Sequence, residues 1–229
     1  MSIPAVSIPD IQAREEANPK IISRSRMEAT VIRDLARAAR LSTYVDLGCW
    51  VGLLAEQTLK DGDFQRAVLV DAVPSCLAST SARINPALAV ELHNVALVVA
   101  SEPRPFQVPL NDTSCAGFGQ PGVTIDVQQK DVCGFLRSLD LDLAKTYLKV
   151  DLEGLDLKIS SALRLGGMLP RVLHIEFGTG AEFDHLRSLL EDTYAFPEPR
   201  PGHVFYSMAL SRERGVLIGF DPDVAYLGW

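Results

Sequence analysis

The chain has 229 residues, 47% of them hydrophobic and 22% charged, which excludes a mainly disordered, coiled-coil or collagen-like build. Its 22 basic and 29 acidic residues leave a net charge of −7, so nucleic acid and anionic membrane surfaces are not expected partners. No stretch approaches the roughly 18 consecutive apolar residues of a membrane span.

The first residues, MSIPAVSIPDIQAREEANPK, carry acids and prolines where a secretory leader has a basic and then an apolar run. With four cysteines and no C-x-x-C pair, this reads as a cytoplasmic protein with reduced thiols. Residues 1–25 read as a loosely ordered N-terminal extension and 26–229 as one domain. A helix is expected over Arg26–Arg40, where Val31, Leu35 and Ala38 recur at helical spacing. Tyr44–Leu47 reads as a buried strand, Gly48–Gly52 as a turn, and Leu53–Lys60 as helix. Strand Ala67–Val70, helix Pro74–Ile84 and a strand-like Ala89–Val99, interrupted at Asn94, follow. Ser101–Gly122 is irregular, with a short hairpin around Phe106, and is the expected acceptor-side element. Helix Val132–Leu139, strand Tyr147–Val150, helix Leu155–Leu165, strand Val172–Phe177 and helix Glu182–Glu191 complete the alternation. His203–Leu210 and Val216–Phe220 read as a closing hairpin.

Apolar strands alternating with helices imply an α/β fold: a Rossmann-like, mainly parallel sheet with helices on both faces and a C-terminal antiparallel hairpin. Ligands on such sheets sit beyond the carboxyl ends of the strands, so the chemistry is sought there. The first strand ends in Asp46-x-Gly48-x-x-x-Gly52. Here Gly48 allows a tight turn and a close backbone approach to a ligand, and Gly52 close packing of the next helix. An acid at this turn attracts a cationic amino group and repels a pyrophosphate. Asp71 ends the second strand nineteen residues after Gly52, near the spacing at which an acid accepts from ribose hydroxyls. Asp151 and Glu153 follow the strand ending at Val150, where paired carboxylates are costly without a cation or a proton between them. His174 and Glu176 alternate on the next strand; His174 reads as a hydrogen-bonded core residue and Glu176 as facing the cleft. On the plainer alternative, Glu153 is a helix-start charge and Lys149 a solvated strand residue.

Val45-Asp46-Leu47-Gly48-Cys49-Trp50-Val51-Gly52, Asp71, Asn94-Val95-Ala96-Leu97 and Lys149-Val-Asp151-Leu-Glu153-Gly154 together resemble the FkbM-type methyltransferases, over about Tyr44–Gly178. The resemblance implies a class I methyltransferase fold and S-adenosylmethionine as cofactor, mostly for O-methylation of natural products and sugars. It implies that Asp46, Gly48, Cys49, Trp50 and Gly52 contact the donor's methionine part, that Asp71 takes the ribose, and that Asn94, Val95 and Ala96 border the adenine. Where this chain has Cys49 and Trp50 the family usually has a small residue and an asparagine, and Leu155-Asp156 replaces the more usual Ala-Glu.

The expected activity is methyl transfer to a hydroxyl of a small molecule or sugar, with catalytic Asp151, Glu153 and Glu176; Asp151 also counts among the donor contacts. Asp151 would serve as general base or hold a metal that acidifies the hydroxyl, though no metal ligand set is expected. The alternatives are a donor-binding domain without turnover and a nicotinamide-dependent oxidoreductase. The absence of G-x-G-x-x-G speaks against the oxidoreductase. The oligomeric state stays open, a homodimer included.

Overall fold

The computed structural model describes residue 13 and residues 16–99, 104–109, 113–196 and 215–220. Helix α1 (Pro19–Ala39) starts earlier than its apolar period suggests, because Asn18 caps it by accepting from the Lys20 amide and Pro19 pre-sets its first turn. The expected extension therefore gives way to helix seven residues before Arg26. Then come β1 (Thr43–Leu47), α2 (Leu53–Leu59), β2 (Arg66–Asp71), α3 (Pro74–Arg83), β3 (Val90–Asn94) and β4 (Ala96–Val98), Val95 falling between the last two. The region read as irregular holds β5 (Phe106–Val108) and β6 (Gly117–Phe118), which form a small antiparallel sheet with β7 (Val123–Ile125). After β8 (Gln129–Asp131) and α4 (Val132–Ser138), β9 (Thr146–Val150), α5 (Asp156–Leu165), β10 (Val172–Phe177), α6 (Gly180–Leu190) and β11 (Gly215–Phe220) finish the described chain.

The main sheet runs β11-β10-β9-β1-β2-β3, parallel except for β11, which pairs antiparallel with β10. This supplies the antiparallel edge, although its partner is β10; His203–Leu210 lies outside the described residues. Successive strand residues point to opposite faces. Val45, Leu47, Leu148, Val150 and Leu173 pack under α4, α5 and α6, while Tyr44, Leu69, Tyr147 and Val172 pack under α1, α2 and α3. Helices thus cover both faces. The same alternation turns Asp46, Lys149, His174 and Glu176 toward the α1 side, where an apolar core would otherwise continue. Among the described residues no helix is long and apolar enough to cross a membrane.

Candidate functional site

A cavity of about 380 Å³ lies against the residues that end β1, β2 and β9. β1 begins the sheet, the chain adds β2 and β3 on one side, and β9 then returns to the other side of β1. This is the switch point at which α/β sheets take ligands, and the volume falls within the range of small-molecule sites.

The turn after β1 is left-handed at Gly48 (φ 86°), Trp50 (φ 47°) and Gly52 (φ 75°). A β-carbon on Gly48 would lie 1.9 Å from the Asp151 carbonyl oxygen. Gly48 does line the cavity, but its missing side chain makes room for the β9 turn and not for a ligand, which corrects the expectation. Gly52 is absent from the cavity wall: a β-carbon there would meet Thr80 of α3 at 2.8 Å, so it sets helix packing. Trp50 holds an uncommon backbone conformation for its size, and three bonds fix it. Its amide donates to Asp71 Oδ2 (2.8 Å), its carbonyl accepts from Thr80 Oγ1 (2.9 Å), and its indole donates to Thr113 Oγ1 (3.0 Å). Cys49 is buried beside it and also borders the cavity.

Asp71 accepts at Oδ1 from the Val73 amide (2.8 Å) as well as at Oδ2 from Trp50. Burial pushes its carboxyl up to about 7 against these two N–H groups. Asn94, expected at a ligand, instead donates to the carbonyls of Asp71 and Ala72 (3.0 and 2.9 Å) and braces that turn. It stays off the cavity wall, to which Val95, Ala96 and Leu97 contribute apolar surface.

On the other side stands a charged network. Lys149, only 4% exposed, donates to Asp46 Oδ1 (3.1 Å), the Gly48 carbonyl (3.3 Å) and Asp151 Oδ2 (3.0 Å). It is buried, so the plainer alternative of a solvated strand residue does not hold. Burial pulls its ammonium down, but Asp151, Asp46 and Glu28 outweigh that and hold it well above the usual lysine value. Tyr44 donates to Asp46 Oδ2 at 2.8 Å. Burial raises Asp46, with Lys149 opposing. Arg24 of α1 donates to Glu176 Oε1 (2.9 Å). Burial also raises Asp151, but Lys149, a hydrogen bond to Glu176 and Arg24 bring it down to about 2. Glu176 moves the other way, to about 8, through burial, the Asp151 charge and that same hydrogen bond. Glu153 (φ 30°) completes a group of three carboxylates whose oxygens lie within 4.8 Å of one another, close enough to hold a divalent cation. His174 is fully buried away from the cavity, its Nδ1 2.8 Å from the Tyr147 hydroxyl and its Nε2 3.4 Å from Glu28 Oε1. Burial keeps it neutral, as expected of a core histidine.

No protein-family model and no curated protein matches the chain. Among solved structures it resembles the N-methyltransferase NodS from Bradyrhizobium japonicum WM9 in complex with S-adenosyl-L-homocysteine, with a TM-score of 0.48, 12% identity and 91% of each chain covered. The S-adenosylmethionine-bound amino pentose methyltransferase CalS10 from Micromonospora echinaspora gives 0.47 at 13% identity, over 96% of this chain and 99% of that one. The plantazolicin methyltransferase BamL gives 0.48 at 8% identity, over 91% and 86%. All three are methyltransferases. At these scores and identities the likeness is one of outline, and the FkbM resemblance rests on its motifs alone.

Two features escaped the sequence. Arg24 and Glu28 lie four apart on α1 and border the cavity, a spacing that would have been visible had the helix been started at Asn18. The burial of Lys149 against Asp46 gave no signal, because that partner is 103 residues away. Phe106, Thr113 and Phe118, within the stretch expected on the acceptor side, border the same cavity.

Proposed function

We propose that the chain is an S-adenosylmethionine-dependent methyltransferase acting on a hydroxyl of a small molecule or sugar. The observation that carries this is Asp71, a half-buried carboxylate at the tip of β2 that borders a cavity at the sheet's switch point. Each of its oxygens holds one backbone N–H and keeps an acceptor position, which suits two adjacent ribose hydroxyls. Val95, Ala96 and Leu97 offer an apolar wall for a flat base. Asp46, Gly48, Cys49 and Trp50 would surround the amino-acid end. The acidic lining disfavours a dinucleotide's pyrophosphate, which leaves the nicotinamide alternative without support.

When bound, the cofactor supplies an electrophilic methyl on a cationic sulfonium, so the protein's task is alignment and proton removal. Asp151, held ionised by Lys149, is too weak a base to take a hydroxyl proton. Glu176 is the better proton acceptor once it has itself ionised, with Asp151 and Arg24 fixing its carboxyl at the cavity wall. Glu153 stands beside both. A donor-binding domain without turnover is the second reading, favoured by the Trp50 indole bonded to Thr113 at the cavity. Calorimetry with S-adenosylmethionine and S-adenosylhomocysteine tests the first step; no binding of either ends the proposal. Labelled methyl transfer to a panel of hydroxyl compounds then separates the two readings.

A further inference from the structure

The turn after β1 and the turn after β9 touch at one buried cation. Asp46 and Lys149 are register partners on neighbouring parallel strands, and both side chains lie on the α1 face. From there the Lys149 ammonium uses all three of its N–H groups: one on Asp46, one on the Gly48 carbonyl, one on Asp151. The backbone repeats the connection, the Asp151 amide donating to the Leu47 carbonyl at 3.0 Å while the Asp151 carbonyl fills the space beside Gly48. Glu28 faces the same ammonium from α1, and His174 lies opposite it on β10.

Burying a charge in this way gives little stability, since ion pairs in protein interiors are often neutral or inferior to apolar replacements. Its acceptors have something else in common: all three border the cavity. With no N–H left over, Lys149 has nothing to offer a ligand directly. We propose that Lys149 is a positioning residue, a strut that fixes the Gly48–Gly52 turn and Asp151 relative to one another. The donor side and the proton-accepting side of the cavity then keep one geometry. The functional half of this rests on the donor-site reading above, but the strut itself does not.

Trp50 lies within the first turn, and the sequence has one other tryptophan, Trp229. In a Trp229→Phe background, Trp50 fluorescence therefore reports that turn in ligand-free protein. Lys149→Met should shift Trp50 emission to the red and raise its acrylamide quenching. It should also weaken S-adenosylhomocysteine binding by about tenfold or more. Leu163→Ala, a change at a fully buried core residue that does not line the cavity, should lower thermal stability and leave Trp50 quenching unchanged. Because Lys149→Met strands the Asp46 carboxylate, Asp46→Asn/Lys149→Met is measured beside Asp46→Asn. The pair should regain stability yet keep the loosened Trp50. Wild-type quenching and unchanged affinity in the pair, relative to Asp46→Asn, would overturn the strut; so would failure of both variants to fold, which would make Lys149 part of the core. If the wild-type protein binds neither donor nor product, the donor reading falls while the Trp50 measurement still decides the strut.

Discussion

Glu176 on β10 and Asp151 just past the end of β9 bring their carboxyl oxygens within 4.8 Å of each other, and the two acids are pushed in opposite directions: burial and the Asp151 charge raise Glu176, while Lys149 lowers Asp151. Lys149 and Arg24 flank the pair: Lys149 bonds Asp151 and keeps it ionised, while Arg24 bonds Glu176. Two carboxyls driven apart in this way are a common means of setting an acid and a base side by side.

The first prediction is a stability that falls with rising pH. Burial holds Glu28 and Asp71 up at about 7 and Glu176 at about 8, above their values in the unfolded chain. Carboxyls raised on folding favour the native state below their unfolded values, and that advantage is lost as pH climbs through the folded ones. His174 has the opposite sign, but its contribution is complete above its unfolded value of about 6.5. The melting temperature should therefore decline between about pH 6.5 and 8.5, and Glu176→Gln should make the decline shallower. A profile that is flat or rises over this interval contradicts the protonation pattern.

Asp71→Ala should weaken donor-product binding by roughly ten- to a hundredfold, the cost of losing a ligand-facing, charge-assisted acceptor. It should also free the Trp50 and Val73 amides, so a modest loss of stability accompanies it. Calorimetry decides: a folded variant with wild-type affinity removes Asp71 from the site.

Asp71 and the glycine turn were legible because the spacing of a strand-turn-helix unit survives in the sequence. The parallel strands were legible because burial on both faces leaves continuous apolar runs such as Ala67–Val70. Of the small sheet only the short hairpin around Phe106 was legible, and its partner strands were not. β5 and β6 have three and two residues, too few for any period, and they gain their order from pairing with each other or with β7. Arg24 was missed because the helix N-terminus is set by the Asn18 cap and Pro19, not by apolar spacing. The buried state of Lys149 follows only from strand register. Asn94 and Gly52 sit in the right motifs but serve them indirectly, one bracing Asp71 and Ala72, the other spacing α2 from Thr80.

Metal addition should have no effect on the free protein. The oxygens of Asp151, Glu153 and Glu176 are near enough for a cation, yet a proton on Glu176, the Lys149 ammonium and the Arg24 guanidinium already balance them. Millimolar Mg²⁺ should leave the melting temperature at pH 7 unchanged, and a chelator likewise. A saturable rise with Mg²⁺, lost in Glu153→Gln, would instead mark a metal site.

The two glycines of the first turn should separate site from scaffold. At Gly48 the positive φ alone costs an alanine on the order of 1–2 kcal/mol. Its β-carbon also meets the Asp151 carbonyl at 1.9 Å, a backbone atom that cannot move without disturbing the amide of the same residue on Leu47. Gly48→Ala should therefore lower stability and donor-product affinity together, since the clash lies between the two turns that border the cavity. At Gly52 the φ is similarly left-handed, but the obstruction is Thr80 of α3, away from the cavity. Gly52→Ala should cost stability and lower affinity less than Gly48→Ala does, since it reaches the cavity only through the Thr80 bond to the Trp50 carbonyl. Urea denaturation and calorimetry on the same two preparations measure both quantities. Equal losses of affinity in the two variants, or wild-type stability in Gly48→Ala, would show that the contact between Gly48 and Asp151 does not hold the site together.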